Sequence, residues 1–515
     1  MFKYPSLIFE LFLSVNKLMF ITFVFYKFGF LLGIMLYIIT MNLYYTILSK
    51  FIVKSPMLNQ SDKIFLGDKL KERISQIAVC DISDFSTEKI KERIIYGLKK
   101  VPKINSKLKY FLGNFFWKQV ELSDSRLKEL IEIKENLLKD INEVIEYAYT
   151  EANIPLDLHT ACLKCYIIPY TDKNNTTNIN KQKGALVFKV DHSFSDGLGV
   201  LNYMTCLADN FSLDMLPKKN KTSNTKNIKE ISNKQIKYLN VINIIFLYIK
   251  NYILLNIKNY LKFIIFEWYY TLKLLLKPSD NNIFNKKANQ MGKVRFTLPL
   301  EYDIDVLKKI SRNNFNVKNT LNELVIALFS ATFKKLDRES KDISIFIPIG
   351  KTKMEDSLER INKYNLNNNA LGVQIKLPLI DELNNSTINT IQSILNKQIV
   401  SQKFIAYGIV SIVNFLTSIL PIHYIKVGVE SSAKKIDLLF SNLPGPQKTL
   451  YLNGCKIENI MPFASTGIQK GFIILYSYNG KINIMCNFDE GQNINPQEFK
   501  KCFNEVLNNA LNYRY

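Results

Sequence analysis

The sequence predicts an α/β protein of two bodies behind an apolar N-terminal segment, and three observations carry that prediction. The β-branched run GALVFKV (Gly184–Val190) leads through a short turn into Leu198, Leu201, Met204 and Leu207 at helical spacing, so a buried strand feeds a helix. The stretch KKNKTSNTKNIKEISNKQIK (Lys218–Lys237) is polar, basic and aperiodic, as a solvated linker is, and a fresh strand pattern begins beyond it at KVRFTLPL (Lys293–Leu300). The segment FGFLLGIMLYIITMNLYYTIL (Phe28–Leu48) carries no charge over a length that crosses a hydrocarbon core at helical rise.

Taken in order, residues 1–54 read as a membrane anchor in which Phe28–Leu48 is a transmembrane helix. The preceding stretch, Leu7–Tyr26, is apolar but holds Glu10 and Lys17, which suits a second span, an interfacial helix or a hairpin partner. Its apolar length and the lack of a small-residue cleavage site argue against a removed signal peptide. Lys50 and Lys54 follow the anchor and place the main body on the cytosolic side. The first body covers residues 55–217, and Thr171–Lys183 within it is a polar hairpin loop. Residues 218–290 form the basic linker and an apolar helical crossover. In that crossover Tyr238–Leu276 is interrupted by Lys250, Lys258, Lys262, Glu267 and Lys273, a pattern that fits either a membrane-surface helix pair or a buried helical hairpin. The second body runs over 291–515. Its stretch Phe404–Ile425 is long enough to span, but Pro421 and His423 at its end and the folded pattern that follows favour a core helix.

Charge and cysteine content narrow the partners. The 515 residues hold 68 Lys+Arg against 45 Asp+Glu, a net charge of +23 that favours anionic partners such as nucleic acid, a membrane surface or phosphorylated cofactors. The basic residues are dispersed, with no zinc-finger spacing, RNA-binding signature or compact basic helix, which makes nucleic acid the weaker reading, and no nucleic-acid partner is expected. Seven scattered cysteines, an odd number, are those of a reduced chain facing the cytosol. His159, Cys162 and Cys165 in LHTACLKC have ligand-like spacing but no fourth ligand, so they read as core residues and no metal is expected.

The candidate chemistry lies in VDHSFSDG, where His192, one of three histidines, sits on a strand-to-helix turn and Asp196 stands at the N-cap position. Alone, such a histidine is more often structural than catalytic. An imidazole with a pKa of about 6.5 is nonetheless suited to taking a hydroxyl proton near neutral pH. Ser193 and Ser195 flank it without a G-x-S-x-G elbow and read as polar turn residues.

VDHSFSDG resembles the HHxxxDG motif of the bifunctional wax ester synthase/diacylglycerol acyltransferase family, with Asp191 at the position of the first histidine. Further segments follow in the family's order. PLDLHTACLKCYIIP (Pro155–Pro169) resembles its PLD…PLW segment, and LNELVIALFSATFKKL (Leu321–Leu336) its ND segment. FSNLPGPQKTLYLNGCKIENIMPF (Phe440–Phe463) and LYSYNGKINIMCNFD (Leu475–Asp489) resemble its SNVPGP segment and closing strands. The resemblance implies two chloramphenicol-acetyltransferase-like halves with a tunnel between them. It makes His192 the general base and Asp196 a structural member of the site, and places Asp191, Gly197, Asn322, Glu323, Ser441 and Asn442 along the substrate path. It also implies acyl-CoA as co-substrate with no cofactor, and a long-chain alcohol or diacylglycerol as acceptor. Membrane lipid follows as a partner, at the endoplasmic reticulum with the catalytic body facing the cytosol. Asp191 for histidine, Glu323 for aspartate and Ala161-Cys162-Leu163 for Pro-Leu-Trp are departures that bear on substrate choice and rate. The alternative is a non-catalytic membrane lipid-binding protein on a degenerate acyltransferase fold.

Overall fold

The run SQIAVCDIS is apolar on both faces of a strand because it becomes the inner strand of a covered sheet. In the computed structural model, which describes residues 7–28, 30–67, 73–134, 138–171, 183–216, 282–285, 293–296, 299–311, 321–350, 366–368, 370–492 and 494–513, this run is β1. Chain order begins with α1 (Leu7–Phe28), α2 (Phe30–Ile47), α3 (Gln60–Lys63), β1 (Ser75–Ser83), α4 (Thr87–Lys100), β2 (Ser106–Phe111), β3 (Asn114–Gln119) and α5 (Asp124–Leu130). It continues through β4 (Ile131–Ile133), α6 (Ile141–Ala152), β5 (Leu163–Tyr170), β6 (Lys183–Asp191) and α7 (Gly197–Cys206). The later part carries β7 (Val294–Phe296), β8 (Leu300–Asp303), α8 (Ile304–Lys309), α9 (Leu321–Leu336), β9 (Asp342–Gly350), β10 (Ala370–Pro378), α10 (Asn385–Ile419) and α11 (Ile422–Ala433). It closes with β11 (Leu438–Pro444), β12 (Tyr451–Leu452), β13 (Cys455–Ala464), β14 (Gly471–Tyr478), β15 (Lys481–Asp489) and α12 (Pro496–Asn512).

Two sheets define two lobes. The first has the order β12-β13-β1-β6-β5-β4, and the second β10-β9-β11-β14-β15-β7 with β8 also on β15. The first sheet is not built from the first half alone. β13 pairs antiparallel with β1, so Val79 faces Met461 on one side and Val187 on the other. One face of this sheet packs on α4 through Ile90, Ile94 and Leu98. Its other face packs on Val144, Ile145 and Ala148 of α6, and on Phe472, Ile474 and Met485 of the second sheet. Tyr149 fixes that junction, its ring stacked on Phe463 at 4.1 Å and its hydroxyl donating to Asn487 Oδ1 at 2.7 Å. In the second lobe α9 and α12 bring Phe329, Phe333, Phe499 and Phe503 against Phe488 of β15. Each such fully buried ring contributes about 1.5–3 kcal/mol relative to exposure.

The N-terminal expectation needs correction. Among the described residues no helix is long and apolar enough to cross a membrane. Phe28–Leu48 instead supplies α2, 18 residues long, whose Tyr37 packs on Ile21 of α1 with Phe25 and Met41 alongside. Ile21 and Tyr37, on consecutive helices, meet across them, which is the geometry of a helical hairpin. Leu7–Tyr26 is therefore the hairpin partner. The linker Lys218–Lys237 and the crossover Tyr238–Leu276 lie outside the described residues. Phe404–Ile425 falls on the second half of α10 and the start of α11, with Ala406 and Thr417 buried and Ile409 exposed.

Candidate active site

The turn after β6 is tied down from every side. Asp191 is buried and receives Arg73 Nη2 at 2.6 Å and Nε at 3.1 Å, while its other oxygen accepts from the Ser193 main-chain N–H at 3.0 Å and hydroxyl at 2.5 Å. The His192 N–H donates to Ile74 O at 2.9 Å, and Gln76 Nε2 donates to Ser195 O at 2.6 Å. Lys103 Nζ donates to Phe194 O at 2.9 Å and lies 4.6 Å from the Phe194 ring centroid. Burial pushes that ammonium down to about 8. Asp196 is the N-cap of α7, accepting from Gly199 N at 2.9 Å, as the spacing predicts. Ser193 and Ser195 are both fully buried.

The His192 ring itself stacks on Phe65, centroids 4.0 Å apart and planes 17° from parallel. Its Nδ1 is enclosed and has no hydrogen-bond partner at good geometry, and the residue as a whole is half-buried. Burial lowers the imidazole below its ordinary pKa, and this outweighs the opposing effects of its own carbonyl, Asp196, Asp191 and Asn368. A neutral imidazole keeps one nitrogen lone pair with which to accept a proton.

The second lobe supplies the facing wall. Asn442 of β11 donates through Nδ2 to Oδ1 of Asn322 on α9, so two residues that the sequence singles out 120 positions apart are in direct contact. Ser441 is their neighbour in β11, in register with Ile474. Leu443, the next residue, reaches the motif, since a Cβ built on Gly197 would lie 3.6 Å from both Leu443 Cδ1 and Gln76 Oε1. Glu323 turns elsewhere: it is buried and accepts from Gln392 Nε2 of α10 at 3.2 Å. It therefore packs α9 on α10 instead of pairing with Asn442. Cys162 and Cys165 are buried thiols, Cys162 bonded to Ile104 O at 3.4 Å, and burial pushes the Cys162 thiol up to about 12. His159 is exposed.

Gly197 is the first residue of α7. Its backbone is not left-handed, and a side chain there meets only ordinary contacts. Gly199 is the constrained one, because a Cβ would fall 2.1 Å from Ser195 Oγ in a fully buried turn. Gly197→Ala should therefore melt like the parent, whereas Gly199→Ala should lose about 1–3 kcal/mol in denaturant unfolding. Phe65, Arg73, Gln76, Lys103 and Asn368 were not singled out from the sequence. Each lies far along the chain from His192, and none belongs to a motif of its own.

Residues 372–510 match the WS/DGAT C-terminal domain family. No curated protein sequence matches the chain. Among solved structures, the wax ester synthase/diacylglycerol acyltransferase from Marinobacter aquaeolei VT8 superposes with a TM-score of 0.54 at 16% identity, covering 88% of this chain and 98% of that one. The trichothecene 15-O-acetyltransferase from Fusarium sporotrichioides gives 0.54 at 12% identity, with 89% and 94% covered. The starter condensation domain of rhizomide synthetase, solved in complex with C8-CoA, gives 0.54 at 9% identity over the same shares. At such identities these likenesses establish the two-lobed fold. Residues 372–510 are thus a WS/DGAT C-terminal domain, carried on the two-lobed fold that the acyltransferases above share, and the chain is an acyltransferase.

Proposed function

We propose that the chain is an acyl-CoA-dependent O-acyltransferase acting on a lipophilic alcohol, either a long-chain alcohol or diacylglycerol. Nε2 of His192 removes the hydroxyl proton as the alcohol oxygen attacks the thioester carbonyl. The new C–O bond forms, the tetrahedral carbon collapses with loss of the C–S bond, and the imidazolium proton passes to the departing thiolate. Ester and free thiol leave, and the ring is neutral again. The observation that carries this reading is the half-buried, neutral His192 on a turn that the second lobe's Asn368 touches, at the junction of the two lobes. The C8-CoA bound to the rhizomide condensation domain supports an acyl-CoA donor. The substrate tunnel is placed between the lobes, past Gly197 and Leu443. Radiolabelled acyl-CoA with long-chain alcohol or diacylglycerol tests the reading: labelled wax ester or triacylglycerol is expected, and no transfer to either acceptor would favour a lipid-binding role.

We also place attachment to lipid on the hairpin's outer face. Phe12, Val15, Met19 and Phe23 recur at helical spacing and are 63, 52, 66 and 56% exposed, whereas Glu10 on the same helix is buried. An apolar exterior over an inward charge suits a lipid surface better than water. Glutamate at Phe12, Met19 and Phe23 together should weaken flotation with phospholipid vesicles by about tenfold or more, given about 1.5–3 kcal/mol per buried side chain.

A further inference from the structure

We infer that Phe65 is a positioning residue for His192, its aromatic face setting the plane of the imidazole in a site where no hydrogen bond to Nδ1 does so. The inference deepens the reading of His192 as the base and rests on it. A histidine's outer torsion is broad and roughly two-fold, so bonds that hold the main chain of a turn do not by themselves aim the ring. The bonds at His192 are of that kind: its N–H goes to Ile74 O at 2.9 Å, and its carbonyl accepts Asn368 Nδ2 at 2.7 Å. Where a hydrogen bond aims a general-base histidine, a carboxylate or carbonyl takes the proton on Nδ1. Here Nδ1 is enclosed without a partner at good geometry, Asp191 bonds to Arg73 and Ser193, and Asp196 Oδ1 caps α7. What does lie on the ring is half-buried Phe65, 4.0 Å away between centroids and 17° from parallel.

A stack is compatible with proton transfer because the nitrogen lone pair lies in the imidazole plane, so a neighbour on the face aims both nitrogens without covering their edges. The phenyl face is also negative, and its attraction grows as His192 gains the proton, which favours the transition state over bound substrate. Phe65 is held in turn from both lobes. Its N–H donates to Asp62 O at 3.2 Å, and that of fully buried Leu66 donates to Lys63 O at 3.1 Å. Asp62, on α3, is 1% exposed, and its N–H donates to Asn59 Oδ1 at 2.7 Å. Its Oδ1 accepts the main-chain N–H of Asn368 at 2.8 Å and Nδ2 at 2.9 Å, the same Nδ2 that reaches the His192 carbonyl. One second-lobe side chain therefore ties the turn that carries Phe65 to the turn that carries His192, and fixes the spacing of the stack.

The test combines ¹H–¹³C NMR of the full chain, labelled on its three histidine rings, with kinetics on palmitoyl-CoA and hexadecanol or dioleoylglycerol. The His192 signals are those lost in His192→Gln. In the parent its ring protons should lie upfield of the ordinary histidine position, shielded by the Phe65 face. Phe65→Leu keeps apolar bulk and removes that face, so it should move these signals downfield and lower kcat about 3- to 10-fold, the range to which the energy of an aromatic pair converts, with KM changed far less. Phe65→Tyr should restore both, whereas a residue that merely filled space would be replaced by leucine and tyrosine alike. Asp62→Ala should also shift the signals downfield, and Asp62→Asn, whose amide oxygen accepts the same two N–H groups, should bring them back. If Phe65→Leu does not fold, the parent spectrum and the Asp62 pair carry the test. Unshielded His192 protons in the parent, or an unchanged kcat in folded Phe65→Leu while His192→Gln is inactive, would overturn the inference. Full acyl transfer by His192→Gln would instead remove the base reading on which it rests, and would do so with the stack still visible in the parent spectrum.

Discussion

Replacing His192 with alanine should lower ester formation by about 10²- to 10⁴-fold, the usual contribution of a general base. Folding should be little changed, because the bonds that hold the turn are made by its main chain and by Asp191, not by the imidazole. Steady-state rates with both substrates saturating, alongside a melting curve, check both halves of this expectation. The parent enzyme's pH profile supplies an independent reading. Burial lowers the ring's pKa, so the acid limb of kcat/KM should lie below the ordinary histidine value of about 6.5. The same shift has a sign for stability. Between the unfolded value and the lower folded one, the unfolded chain binds the proton and the folded chain does not, so His192's contribution is full above about pH 6.5 and is lost as pH falls. Asp62 runs the other way. Its carboxyl is raised to about 6 by burial, so the stability it lends is present at low pH and lost as pH rises through that value.

The largest stability effect is expected at Arg73. Arg73→Leu strands the Asp191 carboxylate in a site where both side chains are almost completely enclosed, and breaking such a pair costs about 3–5 kcal/mol. Arg73→Met combined with Asp191→Asn removes both charges, keeps an acceptor for Ser193, and should recover most of that loss. Denaturant unfolding of the single and double variants decides it, and a single variant as stable as the parent would refute the assignment. Asp191→His, the residue the wax ester synthase motif carries, should also destabilise this chain, because an imidazole would face the guanidinium whose Nε and Nη2 both donate to Asp191. The Asp191 carboxylate locks the loop; it does not hold the ring.

Much of this site was legible from short-range signals. Gly184–Val190 became β6, Asp196 became the N-cap, and the turn between them carries His192, because strand patterning and capping act over a few residues. Asn322 and Asn442 were singled out only through resemblance, and the contact Glu323 makes was not legible at all: nothing local says that α10 will supply Gln392. Asn368, Phe65 and Arg73 were invisible for the same reason: Phe65 and Arg73 reach His192's turn only when the first lobe folds, and Asn368 only when the second packs on it. The membrane span failed differently. Hydropathy counts side chains, and a long apolar run satisfies it equally well as one crossing helix or as half of a hairpin.

The pairing of β13 with β1 has a consequence for how the chain is made. Until residue 464 leaves the ribosome, β1 has only β6 beside it and presents an unpaired, apolar edge. The first lobe of a nascent chain must therefore wait through the linker and most of the second lobe before its sheet is complete. That interval is an opportunity for chaperones and for misassociation between neighbouring chains. Fragments cut at the linker should aggregate when expressed apart, and co-expression with the second half should rescue the first only if β13 is included.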